Sequence, residues 1–207
     1  MIKLRYLMVL SLLSLSAMLW GQAIWIHAKA RLAQQLIHRA WEKTLADPDH
    51  YRQHPPWSWA DTWPVARLQW LHAETAFGVI QVQADYFVLA GAHGSALAFG
   101  PGNVDGTALP GFGASVIGGH RDTHFSFLRE VSSGDMFRIQ TLSGQWKIYR
   151  VVNTSIADVR QGNLVFESAQ DALWLITCYP FNALVPGGPL RYVVHAEFHP
   201  DHNLTAL

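Results

Sequence analysis

The chain has 207 residues, half of them hydrophobic, and its 15 basic and 15 acidic side chains leave a formal net charge of zero. That balance offers no electrostatic footprint for nucleic acid, so no nucleic-acid partner is expected. A lone cysteine excludes a disulfide within the chain and any zinc site built on several cysteines, and the length fits one domain with appendages.

Residues 6–26 hold no charged side chain, and Lys3, Arg5, Lys29 and Arg31 flank them. A helix of that length at ~1.5 Å per residue spans roughly 30 Å, the thickness of a bilayer core. The run is long for the apolar part of a signal peptide, so a retained membrane anchor over 1–27 is expected; cleavage near Gly21-Gln22-Ala23 is the competing reading. Trp20 and Trp25 suit a membrane interface. The flanks carry similar positive charge, so charge counting does not orient the segment.

Residues 28–62 follow as a helical stalk and a Trp/Pro-rich linker. Leu32, Leu36, Ile37, Ala40 and Trp41 form one stripe, and Asp47-Pro48 ends the helix. Pro55, Pro56, Trp57, Trp59 and Trp63 describe a linker packed against a domain. From residue 63 to the end the texture is β, with strands expected at 65–72, 79–83, 86–90, 115–117, 136–140, 146–152, 172–177 and 192–198. Short, β-branched or aromatic segments divided by Gly, Asp, Asn or Pro fit a closed barrel or a sandwich. The Gly-rich stretch 100–113 reads as a surface loop with at most one helical turn. It has no strand–loop–helix context, so it is not expected to cradle a phosphate.

The apolar run 172–176 ends at Cys178, and Pro180 follows. A buried strand that releases a thiol at its end holds that thiol in a fixed direction, as a nucleophile requires; a structural cysteine packed as a small hydrophobe is the rival reading. In the last strand Tyr192, Val194, Ala196 and Phe198 share one face, while Arg191, Val193, His195 and Glu197 share the other. With His120 as third member, these side chains suit acyl transfer. A thiolate attacks, an imidazolium protonates the leaving amine, and a guanidinium stabilises the oxyanion. His120 and His124, with Asp122 between them, offer a metal pair that lacks a third ligand, and no metal or other cofactor is expected. A papain-like hydrolase would place its cysteine before its histidine, the reverse of the order here.

Three stretches carry a family resemblance: Gly118-Gly119-His120-Arg121-Asp122-Thr123-His124-Phe125, Leu175-Ile176-Thr177-Cys178-Tyr179-Pro180, and Gly187-Gly188-Pro189-Leu190-Arg191-Tyr192. They resemble the sortases, and most nearly the branch of Gram-negative bacteria. The resemblance covers about 63–198. It implies an all-β fold, a closed eight-stranded barrel with short helices behind an N-terminal transmembrane helix. It further implies a cysteine transpeptidase in which His120, Cys178 and Arg191 are catalytic, with Thr177, Leu164, Val165 and Tyr179 at the substrate. The implied substrate is a protein ending in an LPxTG-like sorting signal, whose acyl group passes through a thioacyl bond on Cys178 to an amine acceptor or water. The implied place is the inner membrane, with the barrel in the periplasm. Trp174 departs from the family's T-L-x-T-C pattern, standing where its first Thr would be. A non-catalytic, membrane-tethered binding barrel is the rival from a different class.

Overall fold

Alternation along two strands sets the plan of the barrel. In the computed structural model, β7 (Ala172–Cys178) turns Leu173 and Leu175 into the main core and Trp174 and Ile176 into a separate cluster on the outer side. Its partner β8 (Leu190–His199) does the same, with Tyr192, Val194 and Ala196 inward and Val193 outward. Each strand is therefore buried on both faces near its middle, which explains the continuous apolar texture of 172–176. The structure describes residues 2–47, 49, 52–74, 79–162, 166, 171–183, 185 and 187–200.

The other strands are β1 (Pro64–Glu74), β2 (Val79–Ala90), β3 (Gly102–Asn103), β4 (Ser115–Gly118), β5 (Met136–Gln140) and β6 (Trp146–Asp158). They close in the order β1-β2-β3-β4-β7-β8-β6-β5. All pairs are antiparallel except β2 with β3 and β4 with β7. Closure leaves no free edge to template aggregation. Leu68, Val88, Ile117, Phe137, Ile139, Tyr149 and Val194 fill the interior.

Several expected boundaries move. Strands expected at 79–83 and 86–90 are one strand, because Asp85 stays in register opposite Gln69 and pairs its carboxylate with Arg67 (Nε to Oδ1, 2.8 Å). β6 continues to Asp158 through the polar residues 153–155, held by its ladder to β8. Inside the expected loop 100–113 lies β3, where Gly102 packs so tightly that a Cβ would collide with Gly91 O. The helical turn falls earlier, as α2 (Gly94–Leu97), and single 3-10 turns occur at Ser126–Arg129 and Val159–Gln161.

Two compact units divide the chain, 1–36 and 37–207. One helix, α1 (Ile2–Ala46), runs through the first and into the second. Its stretch from Met8 onward is long and apolar enough to cross a membrane. Within the first unit Leu10, Leu13, Trp20 and Ile26 are exposed, and so is Leu32 at 54%, which the expected stripe had buried.

Within the second unit the last turns of α1 lie on the barrel wall. Ile37, Ala40, Trp41 and Thr44 are buried at i, i+3, i+4 and i+7 spacing. Trp41 donates its indole N–H to Gln140 Oε1 (3.1 Å) and tilts against Phe87, whose ring also meets His38 edge-on. The linker packs as expected at Trp57, edge-on to Phe99 with centroids 5.0 Å apart, and at Trp63, against the core; Trp59 is 83% exposed. Trp41→Ala is expected to cost about 3–5 kcal/mol, because an indole only 2% exposed leaves a cavity and strands Gln140. A lowered denaturation midpoint in urea with an unchanged slope checks this.

Candidate active site

The parallel pairing of β4 with β7 brings His120 beside Cys178. Gly118 stands in register with Ile176, and one residue further Gly119 N–H donates to Ile176 O (3.1 Å). The hydroxyl of Thr177 then donates to Gly119 O (2.8 Å). The histidine leaves this pinned glycine in a tight turn, its own carbonyl accepting from Phe125 N–H (3.0 Å). Phe125 and Leu128 are fully buried in the main core and anchor the loop. A Cβ on Gly119 would come within 2.6 Å of the Phe125 ring, so the approach requires glycine.

Antiparallel pairing of β7 with β8 places Cys178 directly opposite Arg191. Both lie on the outer face of the barrel. Residues so paired have Cβ atoms about 4.5–5.5 Å apart, which puts the guanidinium within reach of a group bonded to the thiol. Cys178 is a free thiol and partly exposed. Arg191 Nη1 donates to Gly188 O (2.6 Å) and Leu190 O (2.9 Å), so two carbonyls of the preceding loop aim it. Tyr179 N–H donates to Leu190 O (3.0 Å), extending the ladder one step past the thiol.

The remaining expected residues divide. Leu164 and Val165 lie outside the described residues. Thr177, expected at the substrate, is 2% exposed and turned inward, and its hydroxyl holds the histidine loop through Gly119 O. Tyr179 is partly buried, its ring stacked on Tyr192 (6.2 Å, 21°) and edge-on to Phe181 (6.1 Å). His124 sits edge-on to Tyr86 with centroids 5.6 Å apart. Burial pushes the His124 imidazole pKa down, and the neighbouring His120 lowers it further.

Arg121 is the residue that sequence reasoning passed over. Only 5% exposed, it donates to Pro180 O (Nη1, 2.7 Å), Ala183 O (Nη2, 3.0 Å) and Asp122 Oδ1 (Nε, 2.9 Å). One guanidinium thus ties the loop that carries His120 to the loop that follows Cys178. The quoted motif contained the arginine, but its acceptors are backbone carbonyls some 60 residues away, which leave no mark in sequence. Arg121→Ala is expected to leave both carbonyls without that donor, at about 1–3 kcal/mol each. A drop in melting temperature, with faster amide exchange over 179–183, checks this.

A separate cleft of about 390 Å³ opens at the other end of the barrel, where Trp63, Val65, Ala90, Asn103 and Leu109 line it. Strand directions carry Ala90 and Asn103 away from the end that holds Cys178, so this cleft is no part of the thiol site.

A thiol, a guanidinium and an imidazole at neighbouring strand ends of a closed barrel are the groups that thiol-based acyl transfer employs. Residues 78–199 match the family model of the sortase domain, more than half of the chain, and the chain belongs to the sortase family. It is 34% identical over 86 residues to Sortase D of Bacillus subtilis (strain 168), a match covering 41% of this chain and 42% of that relative. The chain thus spans about two fifths of the curated relative's length. Among solved structures, sortase A from Corynebacterium diphtheriae aligns with TM-score 0.58 at 21% identity over 87% of this chain and 89% of that one. Sortase C1 of Streptococcus agalactiae, in complex with MTSET, aligns with TM-score 0.53 at 19% identity over 84% and 90%. At these identities the two structures speak for the fold.

Proposed function

We propose that this chain is a membrane-anchored sortase of the Gram-negative branch. It cleaves an LPxTG-like C-terminal sorting signal through a thioacyl bond on Cys178 and passes the acyl group to an amine or to water. The observation that carries the reading is the register pair Cys178–Arg191 on the outer face, with His120 pinned beside it through Gly119 and Thr177. The Cys178 thiolate adds to the carbonyl carbon of the signal's Thr. Arg191 meets the oxyanion of the tetrahedral intermediate, as a fixed donor placed where charge develops. Collapse breaks the C–N bond, and the protonated His120 gives its proton to the departing amine. The thioester remains on Cys178. An incoming amine or water gives up a proton to His120, attacks the same carbon and releases the thiolate.

Thr177 and Arg121 act on this chemistry by holding the two loops, while Tyr179 and the segment carrying Leu164 and Val165 border the peptide. α1 supplies the anchor to the inner membrane, with the barrel in the periplasm. A single cysteine suits an oxidising compartment, since it has no partner in its own chain. The experiment is thiol modification. MTSET is expected to label wild-type protein at Cys178 under native conditions and to stop cleavage of a quenched sorting-signal peptide. An unlabelled Cys178 in the folded protein would instead favour a barrel that only binds.

A further inference from the structure

The outer face of β7 runs from Cys178 through Ile176 to Trp174. At ~3.3 Å per residue, Trp174 lies about 13 Å from the thiol. Gly118, Ile176 and Cys178 are partly exposed and form a short strip, taken here as the floor of a peptide trough. It ends at Trp174, which is 6% exposed. The indole lies flat on His195 of β8, with centroids 4.7 Å apart and planes 3° off parallel. Phe166 leans on it from the loop side at 5.7 Å. Val116 and Val193 pack around its base, so the side chain has no vacant rotamer to swing into.

Direction along the trough follows from the chemistry. His120 belongs to the loop beyond the end of β4, so the leaving amine it protonates lies beyond the strand ends. The acyl side of the peptide must then run back along β7, toward Trp174. With the signal's Thr at Cys178, the fourth residue upstream, counting that Thr as first, is about 10 Å back. It arrives at the edge of the indole.

Resting on the peptide-cleaving reading above, we infer that Trp174, braced by His195 and Phe166, closes the acyl-donor groove. This sortase takes a small side chain at the fourth residue and rejects a branched or aromatic one. The same position in the family pattern is a Thr, which would leave the space open.

The test compares kcat/KM for two quenched peptides, Ala-Pro-Ala-Thr-Gly and Leu-Pro-Ala-Thr-Gly, on the full chain in detergent. Wild type is expected to favour the Ala peptide at least about ten-fold, the scale on which a packed pocket discriminates methylene groups. In Trp174→Thr the ratio is expected to fall to one or below, and Trp174→Leu should fall between. A ratio taken within one variant does not depend on the folded fraction, so a loss of stability does not blur it. Wild type cleaving the Leu peptide as fast as the Ala peptide would overturn the inference. So would a ratio unchanged in Trp174→Thr. Cleavage of neither peptide by wild-type protein whose Cys178 still takes MTSET would overturn the peptide-cleaving reading itself, and the inference with it.

Discussion

Cys178→Ala is expected to abolish cleavage of a sorting-signal peptide, lowering the rate by on the order of 10⁴–10⁶, the scale of removing a nucleophile from an assembled site. Stability should hardly move. The side chain is partly exposed, ends its strand, and gives up only a sulfur when it becomes Ala. Surface substitutions of this kind stay within about 0.5 kcal/mol. Peptide cleavage and thermal melting on the same preparation check both halves. Wild-type rates in this variant would remove Cys178 from the chemistry.

Arg191 is the second large effect. Its guanidinium is held by two backbone carbonyls on the same face as the thiol. Those bonds aim it without neutralising its charge, and among the described residues its other N–H groups have no partner, so they are placed to meet an oxyanion. Losing such a donor lowers kcat by about 10²–10³. Arg191→Lys is expected to do almost as badly as Arg191→Ala, since an ammonium cannot reproduce the planar fork that contacts Gly188 and Leu190 while also reaching the substrate. Both variants should melt near wild type. Steady-state kinetics separate the roles: a fall in kcat supports charge stabilisation in the transition state, and a rise in KM alone would make Arg191 a substrate-binding residue.

The parts of this fold that could be read in advance are those governed by local period. β8 alternates cleanly, so the face shared by Arg191, Val193 and His195 was legible before any contact was known, and β7 was legible as a continuous apolar run. β5 (Met136–Gln140) was bounded correctly because turn residues flank it on both sides. β3 was not legible. Gly102 and Asn103 have no strand pattern of their own and become a strand only because β2 and β4 offer ladders on either side. The run of β6 past Val152 was hidden for a related reason. Residues 153–155 look like a loop, yet β8 supplies their hydrogen bonds, and a polar outer face costs a strand little when it meets water. In α1, no capping signal separates the stretches expected as anchor and stalk, and one helix runs through residues 2–46.

The site shows the same division. Three spaced motifs pointed to His120, Cys178 and Arg191, and the register explains why two of them meet. What brings the third is a pair of hydrogen bonds, one from Gly119 to Ile176 and one from Thr177 to Gly119, that no spacing rule announces. Thr177 illustrates the limit. The family resemblance implied it at the substrate, and no spacing rule announced that strand alternation turns its side chain inward, one step out of phase with Cys178, onto Gly119 O. Arg121 was hidden by its acceptors, which are carbonyls of a distant loop.

Intact mass of the protein mixed with a sorting-signal peptide tests the central claim most directly. The peptide should carry Ala or Leu at its first position, and no amine should be added before the acid quench. Wild type is expected to gain the mass of the acyl fragment ending in Thr, located on Cys178 by digestion and lost to a peptide product when triglycine is supplied. Peptide cleavage without any adduct on Cys178, or the same adduct formed by Cys178→Ala, would contradict it.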